Sequence, residues 1–334
     1  MDFDLNEDQR EIKSVARELL GARSTWARVR KAAESGRYDE ALWRELVELG
    51  WPGIAVSEEN GGQGLGIVEL VVLLEELGYA CAAVPFLSTA VAAAILDRFG
   101  GEEARGRWLP GLLGGETRVG VGRAGLIIDG AEGPAALLVH DGRLILVDSA
   151  REPLGTIDPT RRFGRVADDE PAGSWTADTS AVAAALVLAA IAAELVGVCQ
   201  RALDMTLAYV GERRQFGVPV GSFQAVAHRC AEMLLHTESA RSTAYYAAWA
   251  IDAGEDASVS PTEAAALAAA AAATGAREVT ASAIQAHGGI GFTWEADVHW
   301  LYKRAEVDRA LLGGTAGHHA ALARAAAARL AARA

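Results

Sequence analysis

Two short stretches combine residue types that packing alone does not select. The first is Glu212-Arg213-Arg214-Gln215-Phe216-Gly217, followed by Pro219, Phe223 and Gln224, at the junction between two long helical patterns. An arginine there can pair bidentately with two phosphate oxygens, and an aromatic beside it can pack on a flat ring. The same residues suit a solvated arginine pair on a structural turn, and their spacing by itself favours that blander reading. The second stretch is Gln285-Ala286-His287-Gly288-Gly289-Ile290-Gly291-Phe292, with Trp294, Glu295, His299, Lys303 and Arg304 after it. Paired glycines at a helix end let the backbone approach a ligand closely, and their N–H groups can hold an anion. It is not a dinucleotide-binding fingerprint, because no strand precedes it and no helix opens after it at the required spacing. A plain glycine-terminated helix is the alternative.

Other chemistry-bearing residues point to structure. His287 and His299 lie nearest these stretches and suit packing or hydrogen bonding better than catalysis. His318 and His319 open the last helical pattern, where adjacent side chains diverge, so no metal is expected there. Cys81, Cys199 and Cys230 are odd in number and show no CxxC spacing. They read as small buried hydrophobes in a reducing compartment, with neither a disulfide nor a structural zinc.

The elements that must position these stretches are mostly helical. The 334 residues are 51% hydrophobic, 22% charged and only 6% aromatic, with abundant alanine. That balance suits close-packed helices and excludes disorder and disulfide-stapled miniatures. A net charge of −13, scattered along the chain, disfavours a nucleic acid or an anionic membrane surface as partner. The acidic N-terminus lacks the pattern of a signal peptide, so a cytoplasmic location is expected. Ala181 to Val198 mimics a membrane span in length, yet it is rich in Ala and interrupted by Glu194, as a helix buried in a bundle would be.

Asn6 with Gln9 forms a capping-box pattern ahead of a helix, and Asp39 to Leu49, Ile67 to Leu77 and Ser88 to Phe99 continue the helical period. This first block closes near Trp108-Leu109-Pro110. Between Arg118 and Trp175 the pattern shifts to five or six short strands, with Ala135 to His140 and Arg143 to Asp148 flanking a hairpin turn at Asp141-Gly142. Helical pattern then resumes over Ala181–Val210, Phe223–Ala253, Pro261–His287 and after Gly314. The expected architecture is mainly α: a helical domain over 1–117, a small β-domain over 118–176 and a helical bundle over 177–334.

Taken in order and spacing, these motifs resemble the acyl-CoA dehydrogenase family along nearly the whole chain. The matching residues are Pro52-Gly53-Ile54 through Asn60-Gly61-Gly62-Gln63-Gly64, Trp108-Leu109-Pro110 with Gly115-Glu116, the Arg213 turn and the Gln285 to Phe292 run. The resemblance implies the acyl-CoA dehydrogenase fold, with a C-terminal four-helix bundle and FAD bound across a subunit interface. Arg213, Gln215 and Phe216, with Gln285, Gly288 and Gly289, then hold the ADP end of the FAD of the neighbouring subunit. An arginine fork, glycine N–H groups and an amide side chain are what a pyrophosphate and ribose need.

The departures from the family pattern are equally specific. The Thr-Glu-Pro and Gly-Ser-Asp segments that hold the flavin ring and thioester are missing between Arg118 and Trp175, and the middle domain is shortened. Gly313, in Leu312-Gly313-Gly314-Thr315, sits where the family carries its catalytic glutamate. Some relatives place that base ahead of a segment like Gly197-Val198-Cys199-Gln200-Arg201-Ala202-Leu203, but here the matching position is about Val187. Neither residue can act as a general base. Glu194 lies on the same helical face as Val187 but about 10 Å along it, and Glu306 and Asp308 read as solvated or capping residues.

These features imply the non-catalytic subunit of a heteromeric (α2β2) acyl-CoA dehydrogenase, with a paralogous catalytic subunit supplying the base and the flavin-ring contacts. The branch it resembles is that of actinobacteria that degrade steroids, so a steroid side-chain CoA thioester, bound mainly by the partner, and a separate electron-transfer acceptor are implied. The alternatives are a self-sufficient enzyme with a displaced base such as Glu194, and a flavin-free scaffold protein.

Overall fold

The computed structural model describes residues 4–123, 125–140, 143–147, 151–166, 173–174, 177–254 and 260–331. Six helices come first: α1 (Glu7–Arg23), α2 (Trp26–Ser35), α3 (Glu40–Glu48), α4 (Ile67–Tyr79), α5 (Phe86–Phe99) and α6 (Glu102–Leu113). The capping box ahead of α1 forms in full: Asn6 Oδ1 accepts from the Gln9 amide at 2.8 Å, and Gln9 Oε1 accepts from the Asn6 amide at 3.0 Å. The Asp39 side chain caps α3. Helix α2 was not anticipated, since it buries only Val29 and Ala32 and is otherwise studded with charge, which leaves almost no apolar period to read. Pro110 lies inside α6, which ends the block three residues later at Leu113.

Strands follow: β1 (Val119–Arg123), β2 (Leu126–Ile128), β3 (Ala135–His140), β4 (Arg143–Val147), β5 (Arg151–Leu154), β6 (Phe163–Val166) and β7 (Gly173–Ser174). Among the described residues they form one seven-stranded sheet, one or two strands more than the sequence pattern suggests, in the order β5-β6-β2-β1-β3-β4-β7. Only the β1–β3 pairing is parallel. Strands β3 and β4 pair antiparallel with His140 opposite Arg143; the Asp141-Gly142 turn between them lies outside the described residues. A small apolar cluster of Ile127, Ala136, Leu138 and Val147 packs in this sheet, apart from the main core.

The second helical block is α7 (Ala177–Glu212), a short ribbon of β8 (Arg214–Gln215) and β9 (Val218–Pro219), then α8 (Gln224–Ala253), α9 (Pro261–His287), α10 (Val298–Leu311) and α11 (Ala316–Ala331). Helices α7 to α10 pack as a bundle, with α11 against α9. Helix α7 is long and apolar enough to cross a membrane, but 83% of its most apolar window is buried inside the protein, which identifies a core helix. It crosses α4 through a reciprocal glycine contact. A Cβ on Gly78 would meet the Glu194 carbonyl, and one on Gly197 would meet the Glu75 carbonyl. Close backbone approach here requires glycine on both helices.

Helix α10 was also unanticipated. Its inward face carries Val298, Leu301, Arg304, Ala305 and Asp308, all fully buried. Two charged residues on that face interrupt the apolar period by which a buried helix face is recognised.

Candidate functional site

Arg213 follows directly from α7, its amide still bonded to the Tyr209 carbonyl at 2.9 Å. The chain then reverses through the β8–β9 ribbon, in which Arg214 pairs with Pro219 and Gln215 with Val218. Phe216 and Gly217 form the tip with positive φ of 52° and 84°. Phe216 is 94% exposed, and its ring meets Phe223 edge-on at 6.3 Å. An aromatic held this far out, in a conformation uncommon for a non-glycine residue, is not serving the core of its own chain.

Gln285 lies in the last turn of α9, and Gly288 and Gly289 open the 3-10 turn Gly288–Phe292. Gly288 has φ +63°, and nothing lies within 4 Å of where a Cβ would stand on either glycine, so their backbones are open to approach. The Tyr209 ring of α7 stacks on His287 of α9 at 4.6 Å, which places the arginine turn and the glycine motif at the same end of the bundle. His287 also bonds through Nδ1 to the Ala283 carbonyl at 2.7 Å, a packing role as expected. Among the described residues neither Arg213 nor Gln285 uses its side chain in a hydrogen bond or ion pair, whereas Gln215 turns its amide onto the Arg214 carbonyl at 2.7 Å. The expectation that both glycine N–H groups are free does not hold, because the Gly288 N–H caps α9 on the Gln285 carbonyl; an unpaired exposed guanidinium, an exposed amide and the open Gly289 backbone remain as a donor set that fits the diphosphate and ribose of an ADP moiety.

Beyond the glycines, the His299 ring packs in a triangle with Trp294 and Trp300, whose centroids are 4.8 and 4.3 Å away. Burial and the nearby Lys303 ammonium push its pKa down to about 4, so it is neutral at physiological pH. His318 bonds through Nε2 to the Leu312 carbonyl, and the described residues contain no group of acids, histidines and cysteines that could hold a metal.

Gly313 ends the turn after α10. Its φ is +79° and that of Gly314 is +72°. The position lacks a carboxylate, and its backbone also takes a conformation that a glutamate would adopt only under strain.

Glu194 is not available as a displaced base. It is 2% exposed and bonded by Arg161 and, at 2.9 Å, by Arg304. The expectation that Asp308 is solvated or caps a helix is wrong. It is fully buried, 3.3 Å from Arg161, with its second oxygen unpartnered, because α10 turns this face into the core. Asp158 and Thr160 complete the cluster by binding Arg304, Asp158 at 2.6 Å. Although burial works against its ionisation, Arg304 and Arg161 hold Asp158 below the ordinary carboxylate range. Asp308 goes the other way: burial, reinforced by Glu194 and Asp158, pushes it up to about 8. Asp158, Thr160 and Arg161 sit in the loop between β5 and β6, and no local sequence signal marks them. The cluster ties the sheet to the bundle.

Comparison with known proteins identifies the family to which this fold belongs. The family model for the acyl-CoA dehydrogenase N-terminal domain matches residues 6–116, and that for the acyl-CoA dehydrogenase C-terminal domain matches residues 188–327. Acyl-CoA dehydrogenase IpdE2 of Mycobacterium tuberculosis is 32% identical over 314 residues, which cover 92% of this chain and 93% of that protein. Among solved structures, the ChsE4–ChsE5 complex of Mycobacterium tuberculosis superposes with a TM-score of 0.87 at 27% identity, covering 98% of this chain and 99% of the matched chain. The Tcur3481–Tcur3483 steroid ACAD G363A variant gives 0.86 at 28% identity, covering 97% and 99%. With both helical domains matched and a 32% identical relative spanning nearly the whole chain, this chain belongs to the acyl-CoA dehydrogenase family.

Proposed function

We propose that this chain is the non-catalytic subunit of a heteromeric acyl-CoA dehydrogenase, acting on a steroid-derived acyl-CoA thioester. The observation that carries the reading is a contrast within one molecule. Arg213 and Gln285, two donors suited to ADP, stand exposed with unpaired side chains at one bundle end, while the base position is a glycine in a left-handed conformation. The heteromeric ChsE4–ChsE5 and Tcur3481–Tcur3483 structures, the second named as a steroid ACAD, support a paralogous partner and this substrate class.

In this reading Arg213 would hold the pyrophosphate of an FAD shared with the partner. The Gly289 amide would donate to the same group, while Gly288, its own N–H tied to the Gln285 carbonyl, would let the group approach closely; Gln285 and Gln215 would serve the ribose side and Phe216 would pack against the cofactor. When bound, the flavin supplies the hydride acceptor for α,β-dehydrogenation of the thioester. This chain retains and orients the cofactor, and the partner supplies the carboxylate that removes the α-proton. The reading with Glu194 as the base has no support, since that carboxylate is engaged on both oxygens in the core.

Co-expression with the product of an adjacent acyl-CoA dehydrogenase gene tests the assignment. One FAD per two chains, with activity only in the complex, is expected. One FAD per chain, or none, overturns it.

A further inference from the structure

A cavity of about 280 Å³ opens between the end of α1, the start of α2, the end of α4 and the middle of α7. None of its lining residues belongs to the arginine turn, the glycine motif or the buried charge cluster. Two arginines line it, and they differ in state. Arg17 is committed: both its Nε and Nη2 bond Glu76, and its guanidinium lies 3.4 Å over the Tyr79 ring.

Arg201 is not committed. Its guanidinium sits 5.0 Å from the Tyr79 ring and 5.5 Å from the Trp26 ring. Among the described residues it makes one hydrogen bond, a long one, 3.3 Å from Nη1 to the Tyr79 hydroxyl, which itself donates to Asp204 at 2.9 Å. Nε is buried without a partner, and no carboxylate pairs with Arg201 among the described residues. Asp297 is held by Arg30 through both oxygens at 2.9 and 2.8 Å. A half-buried guanidinium with a buried unpartnered Nε and no acid carries a cost, because buried donors left unmatched destabilise the fold. Thr25, also on the cavity wall, makes no side-chain capping bond to α2.

We propose that this cavity binds a small organic carboxylate, its anion on Arg201 and its apolar body against Trp26 and Leu20. A guanidinium fork matches a carboxylate bidentately, and a tryptophan face takes a planar or branched apolar group. The volume equals that of about nine liquid waters, enough for a benzoate-sized acid and too small for a nucleotide cofactor.

The test uses the full-length chain in the assembly in which it purifies, with 4-fluorobenzoate as the probe, followed by fluorine NMR line broadening. Saturable broadening, reversed by excess benzoate, is expected. Arg201→Lys keeps the charge but loses the fork and is expected to weaken binding at least about tenfold. Trp26→Ala, at a half-buried position, is expected to weaken it severalfold and serves if the Arg201 variant fails to fold. No saturable binding by the parent protein, or undiminished binding by both variants, overturns the proposal. So does a response to inorganic phosphate with none to benzoate, since the aromatic wall would then have no role.

Discussion

The buried charge cluster makes stability depend on pH in a way that one substitution should abolish. Facing Asp308 are Arg161 and Asp158 from the β5–β6 loop, Glu194 from α7 and Arg304 from its own helix. Two guanidinium groups balance the carboxylates of Asp158 and Glu194, so an ionised Asp308 would be a third negative charge without a matching positive one. Burial first, then Glu194 and Asp158, raise its pKa from 3.8 to about 8. The folded protein therefore keeps a proton that the unfolded chain releases above its ordinary pKa. Stability from this group is fully present below about pH 4 and is lost at about 1.4 kcal/mol per pH unit until the folded pKa is passed. Asp308→Asn mimics the protonated form at every pH. Its advantage over the parent should widen by on the order of 4 kcal/mol between pH 5 and pH 8, a large share of the ~5–15 kcal/mol of a typical domain. Urea denaturation of both proteins at pH 5, 6.5 and 8 gives the difference directly, and other titrating groups such as His299 cancel in it. Parallel curves for the two proteins would refute the reasoning.

Three further outcomes follow from other parts of the molecule. Arg213→Ala should lower the flavin content of the purified complex while leaving its melting temperature in the absence of flavin almost unchanged, because the side chain is exposed and unpaired; full flavin occupancy would count against the cofactor assignment. Gly197→Val should destabilise the chain by about 1–3 kcal/mol in urea titration, since its Cβ would meet the Glu75 carbonyl across the α4–α7 crossing; an unchanged midpoint would mean that the helices separate without cost. Gly313→Glu should lower stability by about 1–2 kcal/mol and give no dehydrogenase activity in the isolated chain, because the φ of +79° is retained only at the cost of strain; measurable turnover with an acyl-CoA would contradict the proposed division of labour.

The sequence alone determined the succession of a helical block, a small β-block and a second helical block, and it marked out the arginine turn and the glycine motif. Helix caps such as Asn6 with Gln9, and apolar periods such as that of α4, are local, and local chemistry is written in neighbouring residues. The arginine turn and the glycine motif were legible for the same reason, each lying within a few residues. Helix α10 and the role of Asp308 were not legible, because the partners that justify charged residues on a buried face come from residues 158, 161 and 194, far away in the chain. The state of Arg201 was equally hidden, since whether a guanidinium has an acid partner depends on which helices the fold brings beside it. Only the tertiary structure decided that Glu194 is locked in the core and that Gly313 holds a left-handed turn. Burial and long-range charge pairing are properties of the packed chain, and they set which of its carboxylates can act.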